Sequence, residues 1–269
     1  MLLRPLSPPY LQSSSRISEG RMTMAVPIQQ TNESEGQTMK MLGLIGGMSW
    51  ESTLPYYRLI NESVKAHRGG LHSARLILYS VDFAEVESLQ RGGDWAAAGA
   101  LLAQAAQTLQ TAGVQALVLC TNTMHKVAPA IEAAVQVPLL HIADATAKAI
   151  VAQGFTRVGL LGTRFTMEQD FYKSRLRDAY GLEVMVPEAD DRADVHRIIY
   201  EELCLGHVCD ASRDVYRRVI EDLVAQGAQA IVLGCTEIGM LVGAQDSPVP
   251  LFDTTALHAQ AAVDWALTD

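Results

Sequence analysis

Several features that mark other protein classes are scarce in this 269-residue sequence. Its four cysteines, Cys120, Cys204, Cys209 and Cys235, are scattered and form no Cys-x-x-Cys pair, so neither a disulfide scaffold nor an ordinary zinc site is indicated. No run of 18 apolar residues is present, which argues against a membrane-spanning helix. The formal net charge of −9 disfavours nucleic acid or an anionic membrane as the main partner. Together these features predict a cytoplasmic protein with reduced thiols.

The first 38 residues differ in composition from the rest of the chain. They are rich in Ser, Gln and Pro, and Pro5, Pro8 and Pro9 interrupt any signal-peptide helix. We predict that residues 1–38 form a disordered N-terminal extension and that the working start is Met39.

From Met39 onward, apolar strand-like segments alternate with helix-like segments. "KMLGLIGG" and "VQALVLC" are short apolar runs that end at small or polar residues, and "DWAAAGALLAQAAQTLQTAG" between them is typical of a helix. Because 49% of the residues are hydrophobic, the chain can bury a sizeable core. The alternation predicts an α/β fold with parallel sheets covered by helices on both faces.

The sequence also repeats itself. "LGLIGGMSWESTLPYY" at 42 resembles "VGLLGTRFTMEQDFYK" at 158, and "VPLLHIADAT" at 137 resembles "VPLFDTTALH" at 249. Between them, "LQTAGVQALVLCT" at 109 resembles "LVAQGAQAIVLGCT" at 223, and we align Cys120 with Cys235 at an offset of 115 residues. Ordered repeats predict two pseudo-symmetric lobes. We place one at 39–138, completed by 252–269, and the other at 139–251.

A cysteine follows each repeated strand, at the end where ligands bind in open parallel sheets. If the lobes face one another, Cys120 and Cys235 approach a shared ligand from opposite sides. Two opposed thiols can remove a proton from one face of a carbon and return one to the other face, because the ordinary pKa of a thiol, about 8.5, is near neutrality. This arrangement predicts inversion of a carbon centre.

The motifs "GLIGGMSWEST", "CTNTMH" and "GCTE" resemble the cofactor-independent aspartate/glutamate racemase family, and within it the enterobacterial broad-specificity amino-acid racemases. The likeness extends from Met39 almost to the C-terminus. It implies two flavodoxin-like lobes with the active site in the cleft between them, no cofactor, no metal, an amino-acid substrate and a homodimer. It further implies that Cys120 and Cys235 are the acid/base pair, and that the substrate's α-carboxylate and α-amino groups contact Thr121, Asn122, Thr123 and Thr236.

Side-chain specificity is the point on which this sequence departs from the family pattern. Aspartate-specific members hold the side-chain carboxylate with basic residues, whereas "ESLQRGGDW" here offers Gln90 beside Arg91. Arg164 in the second lobe is another candidate. Acidic amino acids and neutral ones such as homoserine both remain open as substrates.

Other residues near the strand ends are candidates for secondary roles. Met48 and Ser49 follow the first strand and are predicted to line the cleft. Glu237 is predicted either to adjust the pKa of Cys235 or orient a substrate ammonium, or to begin a helix. His125 lies five residues after Cys120, a spacing that favours a structural role. Cys204 and Cys209 flank His207, and with no second cluster of ligands nearby we assign them no function.

Two other functions remain open. A single-thiol relative would decarboxylate or isomerise a substituted malonate, hydantoin or maleate, and would need only one cysteine. A non-catalytic two-lobed metabolite-binding protein would need neither.

Overall fold

A computed structural model describes residues 38–268, and the predicted N-terminal extension lies almost entirely outside this range. The described chain contains two four-stranded parallel sheets, with strand orders β2-β1-β3-β4 and β6-β5-β7-β8. The strands of the first sheet are β1 (Leu42–Gly46), β2 (Leu76–Ser80), β3 (Ala116–Leu119) and β4 (Leu139–Leu140). Those of the second are β5 (Arg157–Gly162), β6 (Glu183–Met185), β7 (Ala230–Gly234) and β8 (Leu251–Asp253). The predicted α/β fold with two parallel sheets is confirmed.

Helices connect the strands. In the first half of the chain they are α1 (Trp50–Arg68), α2 (Phe83–Gly92), α3 (Trp95–Thr111), α4 (Ala128–Ala134) and α5 (Ile142–Ala152). In the second half they are α6 (Arg164–Glu168), α7 (Asp170–Tyr180), α8 (Ala189–Glu201), α9 (Asp210–Ala225), α10 (Ile238–Leu241) and α11 (Thr254–Leu267). Short 3-10 turns cover Thr123–Val127, Leu203–Leu205 and Ala244–Asp246. Within residues 38–268, no helix combines the length and the apolar character that a bilayer span requires.

The central strands are apolar along their whole length because helices cover both of their faces. Every residue of β1, β3 and β7 is buried, as are five of the six in β5. The edge strand β2 has only half-buried and exposed positions, so burial restricts its residue types less. Ligand-binding groups are therefore confined to the strand ends and the loops that follow them.

Strand pairing aligns the two sheets residue by residue. Leu42 pairs with Ala116 in the first sheet, and Val158 pairs with Ala230 in the second. Val158 lies 116 residues after Leu42, as predicted, but Ala230 lies only 114 residues after Ala116. Leu139 pairs with Leu117, and Leu251 pairs with Ile231, which lies 114 residues after Leu117. Leu251 is therefore the equivalent of Leu139, which confirms the predicted offset of 112.

Side chains support this alignment. Gln115 Oε1 accepts a hydrogen bond from the backbone N–H of Met41 at 2.9 Å, and Gln229 Oε1 accepts one from that of Arg157 at 3.1 Å. Both glutamines immediately precede their strands and tie them to equivalent positions. The offset of 115 that aligned Cys120 with Cys235 is therefore wrong by one residue: Gly234 is the equivalent of Cys120, and Thr121 is the equivalent of Cys235.

The last helix of each half packs on the sheet of the other half. Helix α5 follows β4, but its residues Ile142 and Ile150 join the core around Val158 of the second sheet. Helix α11 follows β8, but Ala262 and Val263 join the core beneath the first sheet. Strands β4 and β8 each extend two residues past the predicted lobe boundaries at 138/139 and 251/252. The division into lobes otherwise stays a prediction.

Candidate active site

The carboxyl ends of the central strands meet around a small cavity of about 20 Å³. Its walls come from both lobes: Met48, Phe83, Gln90, Thr121, Thr123, Thr163, Ile199, Tyr200, Cys204, Cys235 and Glu237. Of the residues predicted for the site, Met48, Gln90, Thr121, Thr123, Cys235 and Glu237 are in this set. The volume is enough for about one water molecule, so the cavity is closed to a substrate in this conformation.

A buried carboxylate organises one side of the cavity. Glu237 Oε2 accepts hydrogen bonds from Cys235 Sγ and from Thr236 Oγ1, each at 2.9 Å. Its other oxygen, Oε1, accepts from the backbone N–H of Ser49 at 3.1 Å and from Ser49 Oγ at 2.9 Å. Ser49 precedes α1 in the first lobe, so this carboxylate joins the two lobes. Four donors satisfy it, as a buried charge requires.

The same environment keeps Cys235 protonated. Burial raises the pKa of the Cys235 thiol well above its usual value, and the negative charge of Glu237 and the nearby Cys204 raise it further. Donation of the thiol proton to Glu237 stabilises the same form. In this conformation Cys235 is therefore a proton donor, and it becomes a base only after it gives up its proton.

Replacing Glu237 with glutamine is expected to lower the pKa of Cys235. The amide keeps the shape of the carboxylate but removes the charge that opposes thiolate formation. The measurement is the rate at which iodoacetamide alkylates Cys235 between pH 6 and pH 10, with Cys209, which is exposed, as the internal control. A rate profile for Cys235 that is unchanged, or displaced to higher pH, would contradict this assignment.

The first-lobe side of the cavity is built on hydroxyl and amide groups. Thr123 Oγ1 lies 2.9 Å from Thr163 Oγ1, a hydrogen bond between the two strand ends. Asn122 Nδ2 donates to Thr254 Oγ1 at 2.9 Å, while its Oδ1 is buried without a partner in the described chain. An unsatisfied buried acceptor costs about 1–3 kcal/mol, which a donor from a bound ligand can recover.

Cys120 lies in a different place from the one the sequence suggested. Its side chain is fully buried in the core beneath the first sheet, with Leu44, Tyr56 and Ala262, and Sγ points to the carbonyl oxygen of Val118 at 3.7 Å. Neighbouring residues of an extended strand point to opposite faces, so a shift of one residue moves a side chain from cavity to core. The prediction that Cys120 faces Cys235 across the cleft is wrong, and Thr121 occupies that position.

The equivalent position in the second lobe confirms that this side of the strand is core. A Cβ atom on Gly234 would lie 2.6 Å from Leu160 Cδ1 and 2.9 Å from the carbonyl oxygen of Leu161. There is room for a thiol there in the first lobe but for no side chain in the second.

His125 fixes the backbone of the turn that carries Thr121. Its Nε2 accepts from the backbone N–H of Ile142 at 3.2 Å, so its Nδ1 carries the proton and donates to the carbonyl oxygen of Thr121 at 2.7 Å. Burial, reinforced by the neighbouring His141, lowers the pKa of His125 well below its usual value. His125 is a neutral positioning residue, in agreement with the structural role that its spacing favoured.

Cys204 is a cavity residue that sequence reasoning set aside. It lies in the 3-10 turn after α8, one helical turn beyond Tyr200, and it lines the cavity beside Cys235. Burial and the nearby charge of Glu237 raise the pKa of its thiol. The spacing of Tyr200 and Cys204 was visible in the sequence, but nothing indicated that this helix end docks on the strand ends. No group of three or more His, Cys, Asp or Glu side chains in residues 38–268 is arranged to hold a metal ion.

Arg164 lies outside the inner cavity. It lines a second cavity of about 550 Å³, next to the first, together with Phe83, Ala84, Glu87, Gln90, Arg91, Phe165, His196, Tyr200, Glu201, Cys204 and Leu205. Its guanidinium lies over the Phe165 ring, 5.1 Å from the centroid. The two predicted arginines therefore belong to this outer cavity and not to the chamber that holds Cys235.

The sequence matches a known protein family and its members. Residues 45–262 match the model of the Asp/Glu/Hydantoin racemase family. The chain is 25% identical over 236 residues to the broad specificity amino-acid racemase RacX of Bacillus subtilis, covering 83% of this chain and 96% of that protein.

Solved structures give the same result. A candidate Asp/Glu racemase from Yersinia pestis is 64% identical, with a TM-score of 0.80, over 86% of this chain and all of that one. An aspartate racemase homologue from Pyrococcus horikoshii is 33% identical, with a TM-score of 0.74, over the same shares. This chain therefore belongs to the Asp/Glu/Hydantoin racemase family of isomerases.

Proposed function

We propose that this protein is an amino-acid racemase that inverts the α-carbon without a cofactor, with Cys235 and Thr121 on opposite sides of the substrate. The observation that carries the proposal is that these two residues occupy equivalent strand ends of the two sheets and line one cavity. Inversion requires a proton to leave one face of the carbon and another to arrive at the opposite face, and a pseudo-symmetric site supplies a group for each.

The two groups are chemically unequal, which departs from a pair of thiol bases. The thiol of Cys235 can pass its proton to Glu237 Oε2, 2.9 Å away, and the thiolate then takes the α-proton as the Cα–H bond breaks. The Thr121 hydroxyl does not hold a negative charge as readily as the Cys235 thiol does. We therefore assign to Thr121 the delivery of a proton from water to the opposite face of the α-carbon. Cys235 keeps the abstracted proton and is a thiol again, while Glu237 releases to solvent the proton that it received, which neutralises the hydroxide left by the water.

Binding of the α-amino and α-carboxylate groups follows from the polar atoms at the strand ends. Glu237 is the charged group of the cavity wall and suits the substrate ammonium. The partnerless Oδ1 of Asn122 suits a second N–H donor. We assign the carboxylate to Thr121 and Thr123, which line the chamber, and to Thr236, whose hydroxyl donates to Glu237 beside it. The helical turns that follow these strand ends, Thr123–Val127 and α10, are short, so the assignment rests on the hydroxyl groups.

The inner chamber offers no cation to an acidic side chain. None of its lining residues is Lys, Arg or His. Gln90, on α2, already accepts from Tyr200 Oη at 2.8 Å and donates to Met124 Sδ at 3.0 Å. We propose a broad substrate range in which neutral amino acids such as homoserine react at least as well as aspartate or glutamate.

The test is exchange of the α-proton, followed by proton NMR in D₂O with L-homoserine, L-aspartate, L-glutamate and several neutral amino acids. Loss of the α-proton signal, with the D-enantiomer detected by chiral chromatography, is the expected result. Thr121→Val removes the hydroxyl at nearly constant volume and is expected to slow racemisation more than exchange, because the thiol can still exchange a proton on its own face. Absence of exchange for every amino acid would sink the proposal.

A single-thiol decarboxylase or isomerase is the second candidate, and one observation favours it. Of the two equivalent strand ends, only one carries a thiol, Cys235. The same samples, incubated with a substituted malonate, a hydantoin or a maleate, separate the two functions: turnover of one of these without amino-acid exchange would favour the second.

We also propose that the protein is a cytoplasmic homodimer. All four cysteines are free, which suits a reducing compartment. Trp50, Leu54 and Tyr57 project from one side of α1 with more than half of their surface exposed, and Leu205 adds a fourth exposed apolar side chain. Exposed apolar groups of this kind mark interaction surfaces. Light scattering during size-exclusion chromatography measures the oligomeric state directly.

A further inference from the structure

A thin wall separates the inner cavity, which holds Cys235, from the outer cavity, which holds Arg164. Phe83, Gln90, Tyr200 and Cys204 line both cavities and therefore form this wall. The inner cavity measures about 20 Å³ and the outer one about 550 Å³. An amino acid does not fit the inner cavity as it stands, whereas the outer one is of a size that holds small ligands.

The wall is closed by one hydrogen bond between the lobes. Tyr200 Oη, on α8 of the second lobe, donates to Gln90 Oε1, on α2 of the first, at 2.8 Å. The Tyr200 ring also stacks on Phe83 of α2, with centroids 6.2 Å apart and planes at 20°. Gln90 is held from behind by its hydrogen bond to Met124 Sδ, next to the polar turn of the first lobe. Tyr200 therefore contacts two residues of α2, Gln90 through a hydrogen bond and Phe83 through ring stacking.

We propose that Tyr200 and Gln90 form a gate, and that its opening joins the two cavities so that the outer one receives the substrate side chain. The proposal rests on the proposed racemase function for the identity of the ligand. The α-carbon then lies between Cys235 and Thr121, and any side chain longer than a few atoms extends past Gln90 into the outer cavity.

The outer cavity has the chemistry to hold such a side chain. Phe83, Phe165 and Leu205 give it an apolar surface. Arg91 forms an ion pair with Glu87 at 3.5 Å. Arg164 forms no ion pair within residues 38–268, and its guanidinium lies over the Phe165 ring. Arg164 is thus available to a carboxylate or carbonyl oxygen at the far end of a side chain, as in glutamate or glutamine.

Thiol accessibility tests the gate without any assumption about the reaction. The probes are iodoacetamide and the bulkier N-ethylmaleimide, and peptide mass spectrometry reports each cysteine separately. Cys235 is expected to react slowly in the wild type, at least threefold faster in Tyr200→Phe and more than tenfold faster in Tyr200→Ala, with the larger gain for N-ethylmaleimide. Cys209, which is exposed, is expected to react at one rate in all proteins.

Cys120 reports whether a variant is still folded, because its thiol lies in the core. If Cys120 is alkylated in Tyr200→Ala, that variant is not folded and Gln90→Leu is used in its place. Gln90→Leu removes the hydrogen-bond acceptor at similar volume. An unchanged Cys235 rate in folded Tyr200→Phe and Gln90→Leu would overturn the gate.

Substrate selectivity tests the second half of the proposal. Tyr200→Ala is expected to raise kcat/KM for glutamate relative to alanine by at least tenfold, and Arg164→Gln to lower the same ratio by at least fivefold. Ratios that do not change would overturn the assignment of the outer cavity to the side chain. If the wild type exchanges no amino acid, the racemase proposal fails, while the alkylation rates still decide whether the gate exists.

Discussion

Replacing Cys235 with serine is expected to lower kcat/KM for α-proton exchange by at least about 10³-fold, whereas Cys120→Ala retains activity within about threefold. Positioned acid/base groups contribute about 10²–10⁴-fold, and a serine hydroxyl at position 235 cannot replace a thiolate. Cys120 has no path to the substrate, because it is packed between the first sheet and helices α1 and α11. Each variant removes one thiol, and the repeats predicted that these two thiols are partners. The comparison therefore tests which of the two acts on the substrate.

The measurement is the initial rate of α-proton loss by NMR, with both variants compared at equal concentration and with their urea midpoints recorded. Removing a buried sulfur from the core is expected to cost Cys120→Ala about 1 kcal/mol of folding free energy, which leaves a folded enzyme. Loss of activity in Cys120→Ala at an unchanged urea midpoint would restore the two-thiol mechanism and contradict the assignment of Thr121.

The error over Cys120 shows what a repeat can and cannot reveal in a sequence. The strongest visual match, Cys-Thr with Cys-Thr, aligned 120 with 235, but "GVQAL" and "GAQAI" align at 114 and preserve the glutamine that binds the neighbouring strand. A strand has a period of two, so one residue decides whether a side chain reaches the ligand or the core. The register of the strands was visible in the sequence through Gln115 and Gln229, but these residues have no role in the chemistry.

Other features of the site depend on contacts between distant segments. The strand ends at Thr121 and Cys235 were predictable, because apolar runs that stop at polar residues mark them. Gln90, which lies on α2, lines the cavity, and its contact with the substrate stays a prediction. Cys204 was missed, and the position of Arg164 in the outer cavity was not predictable, since both depend on how α6 and α8 dock over the strand ends. Amphipathic periodicity identifies such helices but not their positions.

Three neutral histidines lie behind the turn that carries Thr121. The rings of His125 and His141 are 4.3 Å apart, and those of His125 and His258 are 5.9 Å apart. His258 Nε2 donates to the carbonyl oxygen of Leu140 at 2.7 Å, so its Nδ1 accepts from Tyr56 Oη at 2.9 Å. His141 Nδ1 accepts from the backbone N–H of Ala143 at 3.2 Å and caps α5. Each ring therefore uses a lone pair that protonation would remove.

The pKa values of all three are lowered in the folded protein. Burial lowers the pKa of His258 to about 4, and burial with the positive charge of Arg175 lowers that of His141 to about 3, although Asp144 opposes the shift. The pKa of His125 is well below its usual value, again through burial. In the unfolded chain each histidine titrates near pH 6.5. Below that pH the unfolded state binds more protons than the folded one, so stability falls as the pH falls from about 6.5 towards 4.

We therefore expect an acid-labile fold. Each histidine contributes a slope of up to about 1.4 kcal/mol per pH unit, so at pH 5 His141 and His258 together lower the free energy of unfolding by about 4 kcal/mol relative to pH 8, and His125 adds to this loss. Urea denaturation followed by circular dichroism at half-unit steps from pH 8 to pH 5 measures the slope. His141→Asn keeps a side-chain oxygen for the α5 cap while removing one titrating group, and is expected to reduce the slope by about 1.4 kcal/mol per unit. A free energy of unfolding that stays constant from pH 8 to pH 5 would show that these rings titrate in the folded protein as they do in the unfolded chain, and would contradict their lowered pKa values.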